Sequence, residues 1–355
     1  MAVKSLKCLT CGADLLFNPT LQKWKCEWCD SEFDEKDLGS GVDNLENSGK
    51  DSVETVESMA DPDTKVYKCS YCGAEVITDT VTSATFCVYC RRPVVLGSQL
   101  SGSFKPAVLI PFNNTKEEAL NQFKEYLKKK RFIPDEYKND QNIEKLTGVY
   151  IPFWLYNGTV GFNVYGEGDI VSHSRRGDYQ ITKTDIYSVV REGQIYIDNI
   201  PVDASSRTPN DIMDSIEPFD FSKLIDFSTH YLSGFLAEKY DEDEKQLYDR
   251  AKTRFEGSAE NKIKESLRRY TTVRRAVNKK RVDNISSKYG LLPVWLLYSN
   301  YKEKQYIYAM NGQTGKIIGN LPVDNAKVTQ FWVLIFGISG VLCGLINVLY
   351  QLFLA

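Results

Sequence analysis

Two cysteine quartets of identical spacing constrain this chain of 355 residues more than any other feature. Each quartet contains two Cys-x-x-Cys pairs separated by 14 residues, and each cysteine of the second quartet lies 61 positions after its counterpart. The members are Cys8, Cys11, Cys26 and Cys29, followed by Cys69, Cys72, Cys87 and Cys90. A constant offset across the whole pattern indicates an internal repeat.

The spacing predicts two structural zinc ions, each held by four cysteines. Two residues between cysteines let both sulfurs of one turn face an ion about 2.3 Å away, and the second turn completes the tetrahedron. Glycine follows the first turn of each quartet, where a positive φ is expected. Residues 14–18 with 23–25, and 75–78 with 85–86, are predicted to form the hairpins. Since a unit of about 30 residues has little apolar core, zinc should supply most of its folding free energy. Redox pairs and rubredoxin-like iron sites are the alternatives.

No catalytic centre is predicted. The only histidines are His173, expected on the surface, and His230, expected to be packed, which excludes a three-histidine zinc hydrolase. Phosphate-binding loops, nucleophile elbows and HExxH motifs are absent from the sequence. We therefore predict that the protein is not an enzyme.

The charge balance disfavours nucleic acid as a partner. Charges over residues 1–33 sum to zero, four thiolates with one zinc add two negative charges to each ribbon, and residues 34–63 hold ten carboxylates against two lysines. Binding to phosphates needs a positive face. A zinc-ribbon nucleic-acid-binding protein tethered to the membrane, associated with replication or transcription, stays as the alternative function.

The last 28 residues, 328–355, carry no charged side chain. A helix of about 25 residues is roughly 37 Å long and can cross a hydrocarbon core of about 30 Å. The alternative is a buried core helix. We predict a single-pass tail anchor in the cell membrane with residues 1–327 in the cytoplasm, a reducing compartment that suits metal-binding cysteines.

Small and polar residues form one stripe on this predicted helix. They are Gly337, Gly340, Gly344, Asn347 and Gln351. Glycines permit close helix approach, and amides in lipid seek hydrogen bonds from a neighbouring helix. The stripe predicts packing in a homodimer or against another membrane helix, although glycine is also common in membrane helices without such a role.

The remaining chain predicts an α+β fold. The domains are expected at 1–35 (first ribbon), 36–64 (acidic flexible linker), 65–98 (second ribbon), 99–327 (mixed β-sheet domain with inserted helices) and 328–355 (transmembrane helix). Within the large domain, Thr115 and Glu118 form a capping box, residues 149–202 alternate as β-strands, and a helical insertion is expected at about 212–280. Similar segments at 151–155 and 292–296, and at 200–203 and 321–324, suggest two related β subdomains or a chance recurrence.

Residues 250–281 hold twelve basic and three acidic side chains. Such a stretch is either a solvated helix face or a surface that contacts anionic lipid or an acidic partner.

The paired KCxxCGA…CxxC ribbons, the YIPFWLY and PVD segments, the segment FSTHYLSGFLAEKYD and the final apolar helix resemble a bacterial family. These are membrane-anchored double-zinc-ribbon proteins related to YdjG, with ribbons similar to those of transcription factor IIB, found beside PspA-type envelope-stress operons. The resemblance implies a membrane adaptor that recruits protein partners in an envelope-stress response. It transfers only the eight cysteines as functional positions.

Overall fold

The computed structural model describes residues 6–38, 64–68, 75–79, 81–86, 93–96, 104–138, 146–302 and 304–354. The fold is α+β. The strands are β1 (Leu15–Asn18), β2 (Lys23–Cys26), β3 (Glu32–Phe33), β4 (Thr64–Lys68), β5 (Glu75–Asp79), β6 (Thr82–Phe86), β7 (Pro93–Val95), β8 (Val108–Leu109), β9 (Thr147–Arg176), β10 (Tyr179–Asp203), β11 (Ile225–Asp226), β12 (Leu236–Glu238), β13 (Thr272–Tyr301), β14 (Lys304–Asn311) and β15 (Ile317–Gly319). The helices are α1 (Glu35–Leu38), α2 (Lys116–Lys128), α3 (Asn210–Ser215), α4 (Tyr248–Ser266) and α5 (Asn325–Leu354), with 3-10 turns at Asp135–Lys138, Phe221–Lys223 and Thr229–Leu232.

Three unusually long strands form the frame of the protein. β9 and β10 make a hairpin that turns at Gly177, whose φ is +61°, and β13 pairs with the other side of β9. The distal part of this three-stranded sheet, residues 157–200 and 272–286, is called the arm below. The predicted β structure over 149–202 is confirmed.

One face of the arm is covered by α4. Phe255 and Ala259 of the helix join a core with Val160, and Ile263 packs with Val164 and Val189. Because side chains alternate across a strand, every second residue of the arm faces away from α4.

The base of the sheet is buried on both faces. Tyr150 belongs to a core that contains α2, whereas its neighbour Ile151 belongs to a second core that contains Met213 of α3. Burial on both faces explains why the sequence here is a continuous apolar run rather than an alternating one.

The two Pro-x-Trp segments lie on neighbouring strands, β9 and β13, at this base. Only their first residues, Ile151 and Leu292, are register partners, whereas Trp154 lies opposite Tyr289 and Trp295 opposite Gly148. The two Pro-Val-Asp segments occupy unlike positions: residues 201–203 end β10, whereas residues 322–324 precede α5. The structure therefore places the first pair of segments on neighbouring strands but does not give the second pair equivalent positions.

The helical insertion predicted at about 212–280 is largely wrong. Its longest helix, α4, covers only Tyr248–Ser266, residues 220–247 form mainly turns and short strands, and residues 272–280 belong to β13. Turn chemistry competes with helix formation here, because the side chains of Asp220 and Ser228 accept backbone N–H groups two residues on. Gly234 adds a φ of +98°.

The C-terminal helix α5 is long and apolar enough over Asn325–Gln351 to cross a membrane. None of its most hydrophobic stretch is buried within the protein. A core helix would be covered by other elements, so the alternative of a buried core helix does not fit this placement.

Candidate metal centre

Four thiols converge at one end of the first ribbon. The Sγ atoms of Cys8, Cys11, Cys26 and Cys29 all lie within 4.8 Å of one another. The Cys8–Cys29 and Cys11–Cys26 sulfur distances are both 3.6 Å. A tetrahedron with metal–sulfur bonds of about 2.3 Å has sulfur–sulfur edges of about 3.8 Å, so the quartet fits a zinc ion.

The two halves of the site have the same local backbone. The N–H of Gly12 donates to the carbonyl of Cys8 at 2.9 Å, and the N–H of Asp30 donates to that of Cys26 at 3.0 Å. Both donors have a positive φ, +73° at Gly12 and +56° at Asp30. The positive φ at the first turn explains the glycine predicted there. Aspartate tolerates the same conformation at the second turn.

The electrostatics of the thiols favour a bound cation. Hydrogen bonds from the Ser31 side chain and backbone lower the pKa of Cys29 to about 6. The pKa of Cys11 is raised to about 12, because desolvation and three neighbouring cysteines together outweigh a hydrogen bond from the backbone of Ala13. Desolvation of Cys8 is outweighed by backbone hydrogen bonds with Cys11 and Thr10, so its pKa is also lowered, and ionisation is favoured at Cys8 and Cys29 but opposed at Cys11. A bound cation would stabilise these thiolates together.

The first ribbon packs on the segment 227–235, called the docking segment. The Nε1 of Trp24 donates to the carbonyl of His230 at 3.0 Å, and the Trp24 ring lies 4.9 Å from that of Tyr231. The Oγ of Ser233 donates to the carbonyl of Leu15 at 2.6 Å. The ribbon therefore shares the apolar core of the large domain, and zinc is not its sole source of folding free energy.

The second quartet, Cys69, Cys72, Cys87 and Cys90, lies outside the described residues, but the strands around it are described. Two of their strand pairings repeat those of the first ribbon at the 61-residue offset. Lys68 pairs with Glu75 as Lys7 pairs with Asp14, and Phe86 pairs with Pro93 as Lys25 pairs with Glu32.

The predicted hairpin of residues 14–18 with 23–25 is confirmed as β1–β2. The equivalent hairpin of 75–78 with 85–86 is wrong, because β5 pairs with β4 while β6 pairs with β7 and β12. β6 thus continues the large sheet through Ala84 and Ala237, and the large sheet takes the place of β5 as its partner.

The stripe predicted for helix packing lies on α5. A Cβ at Gly337, Gly340 or Gly344 would meet no atom of the described chain within 4 Å, and Asn347 and Gln351 are exposed. The stripe has no partner among the residues that the structure describes, so helix pairing stays a prediction.

The basic stretch 250–281 spans α4 and the start of β13, and many of its charges are paired. Arg250 lies 2.7 Å from the buried Asp203, and Arg254 and Arg274 contact carboxylates outside the stretch. Arg275 and Lys280 both bind Glu260. The net charge seen in the sequence is largely neutralised by the fold.

Sequence reasoning missed two features of this region. The docking segment lies inside the helical insertion predicted at about 212–280, because Tyr231 and Phe235 are spaced as on one face of a helix. Ser31 lowers the pKa of Cys29. In the sequence it is distinguished only by its position two residues after that cysteine.

The chain is 33% identical over 336 residues to a protein of Bacillus subtilis (strain 168) described as uncharacterized protein YdjG. The match covers 95% of this chain and 94% of that protein. No family model matches the chain. No solved structure matches it.

Proposed function

Since this chain belongs to the family of Bacillus subtilis YdjG, we propose that it is a membrane-anchored zinc-binding adaptor that recruits partner proteins to the cytoplasmic face of the cell membrane. In this proposal α5 crosses the membrane, two structural zinc ions stabilise the ribbons, and no catalysis takes place. Association with an envelope-stress complex follows from the resemblance of the motifs alone.

The second zinc ion is proposed from the repeated register. Both quartets have the same spacing, and the strands that flank them pair at equivalent positions. Since the first quartet is arranged as a tetrahedral site, the repeated cysteine spacing and these shared pairings support a second site.

The arm is the observation that carries the adaptor proposal. On the face opposite α4, β10 presents Ile186 and Val190, which are 62% and 52% exposed, and Tyr196, which is 68% exposed. Within the described chain, β10 pairs with no strand other than β9, so its other edge has no strand partner along the exposed part of the arm. A long edge strand with exposed apolar side chains favours pairing with another protein.

The test is co-purification of the full chain from detergent-solubilised membranes of its own host. We expect Ile186→Ser with Val190→Ser to release a specific protein partner that the wild type retains. Val323→Ser is the matched control, because Val323 is 61% exposed but lies outside the arm. An unchanged partner set in the double variant, at equal membrane abundance, would contradict the proposed role of the arm.

A further inference from the structure

One turn of the large domain, at residues 132–135, lies beside the start of α5. The ring of Phe132 lies 5.2 Å from that of Phe331, and the Phe132 carbonyl accepts the N–H of Asp324 at 2.8 Å. Lys327 Nζ donates to the Ile133 carbonyl at 2.9 Å and pairs with Asp135 at 2.6 Å. The turn is thereby held against the first two turns of α5.

Four consecutive basic residues precede this turn. Lys128, Lys129, Lys130 and Arg131 end α2 and lead directly into Phe132, and we call them the basic quartet. Lys128, Lys129 and Arg131 are exposed. Lys128 has the exposed Glu125 as a partner, and Lys130 lies 4.6 Å from the ring of Tyr126. Lys129 and Arg131 make no ion pair with any residue that the structure describes.

The basic quartet adjoins a residue that contacts the start of the apolar part of α5. Phe331 and Trp332 begin the apolar part of α5, and aromatic residues mark the interface between hydrocarbon and water. Phe132 contacts Phe331, so Arg131 lies next to that interface.

Local sequence does not supply this charge. Among the eight residues before Val328, the only charged side chains are those of Asp324 and Lys327, whose charges cancel. The basic stretch 250–281, in contrast, is largely paired with carboxylates. The quartet reaches α5 only through tertiary structure, about 200 residues away in sequence.

We infer that Lys128, Lys129, Lys130 and Arg131 bind the anionic phospholipid headgroups that surround α5. The inference rests on the proposed function, because it requires α5 to cross the membrane. Basic residues beside an anionic leaflet attract its lipids, and salt weakens the attraction.

The experiment uses the full chain reconstituted into phosphatidylcholine vesicles with spin-labelled phosphatidylglycerol or phosphatidylcholine. Electron paramagnetic resonance gives the relative association constant of the two lipids with the protein. We expect the wild type to prefer phosphatidylglycerol at low salt, and K128Q/K129Q/K130Q/R131Q to lower this preference at least about threefold. K129Q/R131Q should give an intermediate loss. The matched control, K252Q/K262Q/K264Q/K279Q, removes the same charge from exposed sites on α4 and the arm and should keep the wild-type preference.

Equal preference in the wild type and the quartet variant would overturn the inference. Loss of the preference on adding inorganic phosphate at constant ionic strength would also overturn it, because the site would then bind free phosphate. Flotation with alkaline extraction measures insertion separately. A chain that does not insert refutes the proposed anchor and the inference together, whereas an inserted chain without lipid preference refutes the inference alone.

Discussion

The indole nitrogen of Trp24 donates a 3.0 Å hydrogen bond to the backbone carbonyl of His230, 206 positions further along the chain. This bond links the first ribbon to a domain that carries the rest of the core. The Trp24 side chain is only 1% exposed. The ribbon is therefore an integral part of the large domain rather than a separate module on a tether.

Trp24→Ala should destabilise the full chain by about 3 kcal/mol, because it removes a buried aromatic side chain and leaves a cavity. Trp28→Ala is the control, since Trp28 is 84% exposed and its loss should change stability by less than about 0.5 kcal/mol. Thermal unfolding followed by circular dichroism in detergent measures both. Equal midpoints for the two variants would refute the docking of the ribbon.

Cys26→Ser should lower the zinc content of the purified full chain by about one ion, because the remaining three thiols leave the tetrahedron open. Cys343→Ser, which changes a cysteine of α5, should leave the metal content at the wild-type value. Elemental analysis under reducing conditions measures both. Cys11→Ser repeats the test at an exposed ligand, in case loss of the buried Cys26 impairs folding. Wild-type zinc in both ligand variants would contradict the site.

Glu260 should make stability depend on pH. Its pKa is lowered to about 2, because contacts with Lys280 and Arg275 outweigh its desolvation. A lowered pKa in the folded state gives stability that is present above the unfolded value of about 4.3 and is lost as pH falls toward 2.

We expect Glu260→Gln to lower the free energy of unfolding by about 1 kcal/mol at neutral pH, a value discounted for solvent screening. The difference from the wild type should vanish as pH approaches 2. Glu265→Gln, at a mostly exposed carboxylate, is the control. Thermal midpoints measured from pH 7 down to pH 2 test this, and a difference that grows on acidification would contradict it.

Gly166→Ala should destabilise the arm by about 2 kcal/mol or more. A Cβ at Gly166 would lie 2.1 Å from the carbonyl oxygen of Arg274, beside the bulge of β13. A Cβ at Gly161 would have no neighbouring atom nearer than 3.9 Å, so Gly161→Ala should leave stability unchanged or raise it slightly. Hydrogen exchange of arm amides distinguishes the two. Equal protection in both variants would show that the close approach does not exist.

Gly340→Ile with Gly344→Ile should reduce crosslinking of α5 within the membrane, because bulky side chains prevent close helix approach. Leu342→Ile with Ile346→Leu changes the opposite side of α5 and should leave crosslinking unchanged. Unchanged crosslinking in the glycine variant would remove any role of the stripe in helix packing.

Local chemistry could be predicted from sequence. The capping box of Thr115 and Glu118 is present with both hydrogen bonds, since its members are three residues apart. The first cysteine quartet also assembles as predicted, because each turn is set by four or five neighbouring residues.

Distant pairing could not be predicted. Tyr231 and Phe235 are spaced as on a helix, yet both face core partners far away in sequence, and turn chemistry at Ser228 interrupts the helix. Likewise, Arg250 appears as one of many solvated charges in the sequence, while its partner Asp203 lies on a strand 47 residues earlier. Such contacts depend on the fold as a whole.

The length of β13 has a geometric consequence for the proposed adaptor. Its last residue, Tyr301, packs on Tyr137 close to the start of α5, while its first residue, Thr272, lies near the far end of the arm. Thirty extended residues span up to about 95 Å. A protein bound at the distal end would therefore lie up to that distance, measured along β13, from the point where the chain enters α5.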